Sequence, residues 1–177
     1  CCDRSSGWVF AYSRRDADWH RLLRVPPCAT LPRWSWAASA SHGGIALPTE
    51  RGPVSVDLLG ALDAPVSVPE EGCASLGGPT RLGGAVIAPV SYDGGLAVAV
   101  LSGSAWEILP VSGAEAARAP FAVPVCGIDC AFWCSSAGQL AVRDTGDGFE
   151  ARFSLWSDGV SPLLLSLIHI SEPTRRR

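Results

Sequence analysis

Short apolar runs separated by turn residues occupy the centre of the chain, between residues 82 and 111. The first run ends at Tyr92-Asp93-Gly94-Gly95, the second ends at Ser102-Gly103-Ser104, and the third closes at Pro110-Val111. Runs rich in Val, Ile and Leu that are bounded by Asp-Gly and Gly-Ser turns are typical of antiparallel strands joined by hairpins. The segment therefore predicts a three-stranded meander and an all-β chain.

Two sequence markers recur in the same order along the chain. Gly43-Gly44-Ile45-Ala46-Leu47, Gly94-Gly95-Leu96-Ala97-Val98 and Gly138-Gln139-Leu140-Ala141-Val142 are spaced by 51 and 44 residues, and two Ala-Pro segments starting at Ala64 and Ala119 are spaced by 55. A period of about 40–50 residues with four short strands is typical of propeller blades. We therefore expect a partial β-propeller, with about two complete and two partial four-stranded blades and with Ile45, Leu96 and Leu140 at equivalent strand positions. An unrelated β-sandwich with similar turns is the alternative.

Charge and hydropathy restrict the partners of such a domain. The chain has 177 residues, with 14 basic residues, all of them Arg, and 17 acidic ones, for a net charge of −3. Nucleic-acid-binding surfaces are basic and clustered, and no apolar run approaches the roughly 20 residues that span a bilayer. Neither nucleic acid nor a membrane is therefore expected as a partner. Lys, Asn and Met, whose codons are rich in A and T, are absent, which indicates a GC-rich bacterial genome.

The cysteines favour a reduced protein without cofactor or metal. Seven are present: Cys1, Cys2, Cys28, Cys73, Cys126, Cys130 and Cys134. An odd number in a chain of this length argues against a disulfide framework and favours a cytoplasmic location. Along one strand, Cys126 and Cys134 would stand about 26 Å apart, too far for one zinc ion, so the prediction for Cys126, Cys130 and Cys134 is that they are small buried apolar residues.

The remaining motifs favour structural roles. His20 and His42 lack a neighbouring nucleophile signature and are interpreted as surface or capping residues. Asp144-Thr145-Gly146-Asp147-Gly148 lacks the further acidic positions of a calcium loop and predicts a hairpin turn. Six tryptophans recur near predicted strands and are expected to pack between blades, with stacking on sugar as the alternative: Trp19, Trp34, Trp36, Trp106, Trp133 and Trp156.

Residues 35–44 and 87–95 resemble the strand–turn–strand signature of five-bladed, glycoside-hydrolase-like propellers of the arabinanase and furanosidase type. Pro89 and the Asp93-Gly94 turn match that signature, whereas Ala88 stands where the family has an acidic residue and Ala37 where it has proline. The resemblance implies a sugar-related site at the central mouth. It supplies no catalytic pair, because glycoside hydrolysis needs two carboxylates about 5–9 Å apart and Asp129 is the one acidic residue on a predicted inner strand. The catalytic residues are left unassigned.

These observations predict a recognition module on a β-propeller scaffold, with carbohydrate as its ligand. Two alternatives stay open. One is a fragment of a glycosidase-like propeller enzyme whose catalytic residues lie in missing blades, and the other is a protein-interaction scaffold. The sequence leaves open whether the whole protein is an enzyme.

The chain divides into an expected propeller region at residues 1–164 and a tail at residues 165–177. From Leu165 to Arg175 the tail resembles, residue by residue, the translation of a transposase-type sequencing adapter. We therefore expect the tail to be an artefact, and the propeller region to be truncated at both ends.

Overall fold

The computed structural model describes residues 6–24, 38–39, 44–57, 66–67, 72–112, 121–122 and 124–156. This part of the chain contains fifteen β-strands and no helix, which confirms the predicted all-β class. The predicted boundary between residues 164 and 165 lies outside it. The strands are β1 (Trp8–Ser13), β2 (Asp18–Arg24), β3 (Ala38–Ser39), β4 (Gly44–Thr49), β5 (Gly52–Asp57), β6 (Val66–Ser67), β7 (Ala74–Ser75), β8 (Thr80–Leu82), β9 (Ala85–Tyr92), β10 (Gly95–Ser102), β11 (Ala105–Pro110), β12 (Val125–Cys126), β13 (Cys130–Cys134), β14 (Gly138–Asp144) and β15 (Phe149–Leu155).

The strands pair antiparallel into four sheets within the described residues. Sheet I is the hairpin β1–β2, sheet II has the order β3–β4–β5–β6, and sheet IV has the order β12–β13–β14–β15. Sheet III runs from an edge formed by β7 and β8 through β9 and β10 to β11. Both β7 and β8 pair with β9, so they are two halves of one edge strand. Sheets II, III and IV are therefore the same four-stranded meander.

The Asp-Gly turn between β9 and β10 forms as the sequence predicts. Asp93 and Gly94 both have positive φ, 48° and 77°, and Tyr92 pairs with Gly95 across them. Two successive residues of positive φ match the right-handed twist of a hairpin, and Asp-Gly adopts them at low cost. This turn fixes the register of the two longest strands in the described chain.

Sheet III lies between sheets II and IV and is apolar on both faces. On one face, Ile87 packs in a cluster with Trp133 of sheet IV. On the other face, Val90 and Trp106 pack in a cluster with Ala46 of sheet II. Six successive residues of β10 are buried, a continuous run that is expected for a strand covered on both sides.

Corresponding strands of neighbouring sheets contact each other. The edge strand β8 of sheet III contacts the first strands of both neighbours, β3 and β12, and the last strand β11 contacts the last strands β6 and β15. After β11 the chain continues onto sheet IV, where the amide of Ser112 donates to the carbonyl of Ala151 at 3.2 Å and the amide of Phe153 donates to the carbonyl of Ser112 at 3.0 Å. The sheets are thus stacked in parallel orientation, first strand beside first strand.

The repeated Gly-X-apolar-Ala motif does not keep one structural register. Ile45, Leu96 and Leu140 each lie in the second strand of their sheet, as predicted, but they are not equivalent. Ile45 and Leu140 pack toward the preceding sheet, whereas Leu96 packs toward the following one. Leu96 is the second residue after its two-residue turn and Leu140 is the third, and a shift of one residue moves a side chain to the opposite face.

Candidate functional site

The three closely spaced cysteines lie on a hairpin rather than on one strand. Cys126 ends β12, residues 127–129 form the turn, and the amide of Gly127 donates to the carbonyl of Cys130 at 2.7 Å. Cys126 is exposed, while Cys130 and Cys134 are half-buried. The prediction of three buried apolar cysteines is therefore wrong, because the turn at Gly127 starts a new strand before Cys130.

Burial and a neighbouring carboxylate keep three of the thiols protonated. Burial raises the pKa of Cys73 to about 11 and also raises the pKa of Cys134. The pKa of Cys130 is raised by burial and then by the charge and the hydrogen bond of Asp129. Because the thiolate is the nucleophile and the metal ligand, these thiols are poorly suited to either role. Across the described ranges, no group of three or more His, Cys, Asp or Glu residues is arranged to hold a metal ion.

The other polar motifs are surface and turn features. His20 is exposed on β2, with its Nε2 atom 3.6 Å from Oδ2 of Asp16, which confirms the prediction of a surface histidine, whereas His42 lies outside the described residues. Oδ1 of Asp144 accepts the amide of Gly146 at 2.9 Å. This carboxylate closes the turn between β14 and β15, so the predicted hairpin turn is confirmed.

The sequence predicted that Asp129 lies on an inner strand, and this prediction is wrong. Asp129 lies in the turn between β12 and β13. Its Oδ2 atom is 3.8 Å from Nε of Arg143, and both side chains are more than half exposed. The turn that separates Cys126 from Cys130 also moves Asp129 to the surface. It therefore cannot serve as the inner-strand carboxylate that the family resemblance called for.

The six tryptophans of the sequence prediction differ in how deeply they are buried. Trp106 and Trp133 are buried and pack between sheets, as predicted, and Trp156 is half-buried. Trp19, in contrast, is 55% exposed on β2. Two of the six lie outside the described residues: Trp34 and Trp36.

One face of sheet I carries a group of aromatic side chains that we term the aromatic face. Alternate residues of a strand share a face, and the cross-strand pairs place two residues of β2 beside those of β1. The opposite face holds Val9, which is fully buried against Val54 and Val56 of sheet II. Sheet I thus packs on sheet II through one face, and the other face is open to solvent at Tyr12 and Trp19. The aromatic face consists of Trp8, Phe10, Tyr12, Trp19 and Arg21.

The rings of the aromatic face are arranged as pairs. Tyr12 and Trp19 lie opposite each other, their centroids 5.3 Å apart and their planes inclined by 57°, and Tyr12 is 50% exposed. The guanidinium carbon of Arg21 lies 4.6 Å from the centroid of Trp8. A cation over an aromatic face is held by electrostatic attraction to the ring, so Arg21 orients Trp8.

A surface cavity of about 650 Å³ lies where β11 and its continuation meet β14 and β15. Its wall is held by the hydrogen bonds between Ser112 and β15, and Ser112 Oγ also donates to the carbonyl of Ala151 at 3.3 Å. The volume is within the range of about 300–1,000 Å³ that is usual for small-ligand pockets. The lining residues are Leu109, Pro110, Val111, Ser112, Ala141, Arg143, Phe149, Glu150, Ala151 and Arg152.

Sequence reasoning missed both of these features. The aromatic face has a signal, because Trp8, Phe10 and Tyr12 alternate with other residues at the period of a strand. The cavity has none, because it depends on the pairing of Ser112 with a strand some forty residues later.

Comparison with known proteins adds no assignment. No family model, no curated protein and no solved structure matches the chain. Among the described residues, no helix is long and apolar enough to cross a membrane.

Proposed function

We propose that the chain is part of a β-propeller and acts as a recognition module that binds carbohydrate through the aromatic face of sheet I. The blade assignment is supported by three successive four-stranded antiparallel meanders, sheets II, III and IV. It is further supported by the contacts of first strands with first strands and of last strands with last strands. Radial stacking of such sheets around an axis produces both kinds of contact.

The exposed pair Tyr12 and Trp19 carries the carbohydrate part of the proposal. Large aromatic side chains are normally withdrawn from water, and a half-exposed pair held by cross-strand register offers apolar area at low entropic cost. A pyranose ring has an apolar C–H face that packs on such rings and hydroxyls at its rim. The exposed guanidinium of Arg21, which lies on the same face, provides hydrogen-bond donors for those hydroxyls.

The positions of the carboxylates favour a recognition role over catalysis. The one carboxylate that resembled a catalytic candidate, Asp129, is an exposed partner of Arg143. Retaining and inverting glycosidases both need a pair of carboxylates across the scissile bond. No catalytic residue is therefore assigned.

The test is a glycan array followed by titration calorimetry with the oligosaccharide that binds most strongly. We expect Trp19→Ala and Tyr12→Ala each to raise Kd about fivefold, since stacking on one ring contributes about 1 kcal/mol. Ile128→Ala is the matched control, because Ile128 is 99% exposed and lies in the turn of another sheet. An array without any bound glycan, or alanine variants that bind as the parent does, would refute the proposal and favour a protein-interaction scaffold.

A further inference from the structure

The cavity between β11 and β15 combines an apolar wall with paired opposite charges. Leu109, Val111 and Phe149 are half-buried, pack against the core of sheets III and IV, and line the cavity. Arg143 and Glu150 are opposite each other in the β14–β15 register. An apolar surface of this kind with a few convergent polar groups is characteristic of small-molecule sites.

Of the two arginines that line this cavity, Arg152 is the one without a carboxylate partner within the described chain. It is exposed, and within the described chain its side chain makes no hydrogen bond or ion pair. Arg143 is shared with Asp129, at 3.8 Å. The planar guanidinium of an arginine binds a carboxylate by two parallel hydrogen bonds.

The charge of the lining selects the ligand further. Because Arg143 is paired with Asp129, Arg152 is the one guanidinium of the lining that is available to an anion, and a single guanidinium matches a ligand of one negative charge better than a phosphate dianion. Glu150 lies two residues from Arg152 on β15 and therefore shares its face. A carboxylate accepts hydrogen bonds from hydroxyl groups, so the ligand is expected to carry hydroxyls beside its own carboxylate.

We propose that this cavity binds a sugar acid, a uronate. Its carboxylate pairs with Arg152, one of its hydroxyls donates to Glu150, and the C–H face of its ring packs on Leu109 and Val111, which line the same cavity. The site is on sheets III and IV and is separate from the aromatic face of sheet I. This inference therefore does not depend on the function proposed above.

The test is titration calorimetry of the full chain with D-glucuronate, with D-glucose and inorganic phosphate as comparison ligands. We expect saturable binding of glucuronate, weaker binding of both comparison ligands, and a loss of affinity of about tenfold or more in Arg152→Gln. Arg81→Gln is the matched control, because Arg81 is an exposed strand arginine outside the cavity. A thermal melt of each variant checks that it is folded.

Each further result has a defined meaning. Unchanged glucuronate binding in Trp19→Ala would support a site separate from the aromatic face. Absence of saturable binding, equal affinity for glucose, equal affinity for phosphate, or full affinity in Arg152→Gln would overturn the proposal.

Discussion

At Gly138 the backbone of β14 comes so close to β15 that a side chain does not fit. A Cβ atom there would overlap the carbonyl oxygen of Ser154 and would stand 2.6 Å from Cζ of Phe153. The contact is with backbone and with a buried ring, and neither can move without disturbing the ladder of sheet IV. Glycine is required at this position because β14 and β15 lie too close together for a side chain, and not because of its backbone angles.

We expect Gly138→Ala to lower the free energy of unfolding by roughly 1–3 kcal/mol, the usual cost of overpacking. Urea denaturation measures it. Gly84→Ala is the control, since a Cβ at Gly84 meets nothing within 4 Å, and it should stay within about 0.5 kcal/mol of the parent. Equal effects of the two substitutions would contradict the close approach.

Cys73 gives the stability of the protein a dependence on alkaline pH. Its thiol stays protonated in the folded protein up to a pKa of about 11, whereas the ordinary value is 9.0. In that interval the unfolded chain loses the proton and the folded chain keeps it, so the contribution of this thiol to stability is complete below pH 9 and is lost as the pH rises toward 11. We expect the free energy of unfolding to fall less between about pH 8 and about pH 10 in Cys73→Ala than in the parent. Identical pH dependences in urea titrations would contradict this.

At the scale of elements, Trp133 joins sheet IV to the break in the edge strand of sheet III. Its ring is fully buried, and its Nε1 atom donates to the carbonyl of Gly78 at 2.9 Å. Gly78 lies between β7 and β8, so this bond satisfies a carbonyl that the interrupted ladder leaves without a strand partner. Gly77 permits the approach, because a Cβ there would stand 2.7 Å from Cγ of Pro89 and 3.3 Å from Cδ1 of Trp133.

We expect Trp133→Phe to cost roughly 2–4 kcal/mol, the sum of an unsatisfied buried carbonyl and lost ring volume. Trp156→Phe is a matched comparison. Trp156 also donates from Nε1 to a carbonyl, that of Ser135 at 2.8 Å, but in a half-buried position where water can replace it. Its loss should cost about 1 kcal/mol. Chemical denaturation of both variants gives the comparison, and a smaller effect at Trp133 would contradict this account.

The hairpins were predictable from sequence because local chemistry determines them. Asp93-Gly94 and Asp144-Thr145-Gly146 adopt the turns that their side chains and backbone freedom favour. The hairpin at Cys126 to Cys130 was missed, because Cys126, Cys130 and Cys134 were assumed to lie along one strand. The side of the sheet on which Leu96 lies was predicted wrongly for another reason. Sheet III is apolar on both faces, so its sequence does not distinguish one register from the next.

At the scale of the whole molecule, protection from solvent is distributed unevenly. β10 lies in the middle of a stacked sheet, and six of its residues in succession are buried. Sheet I has two strands, and all residues of β2 whose burial is described are exposed. Stability against local opening follows the number of buried contacts that opening must break.

We expect the amides of β10 to exchange with deuterium most slowly and those of β2 about a hundredfold or more faster. Mass spectrometry of peptides from the two strands measures the ratio. Similar protection of β2 and β10 would mean that sheet I opens only with the rest of the protein.

The change of register at Leu96 has a consequence for which sheets tolerate insertions and deletions. When β10 shifts by one residue against β9, its two faces exchange, and both are still apolar. A shift of β14 by one residue would instead turn Arg143 toward the core and expose Leu140 and Val142. Insertions and deletions of one residue should therefore be tolerated better in sheet III, which is apolar on both faces, than in sheet IV, which has one polar face.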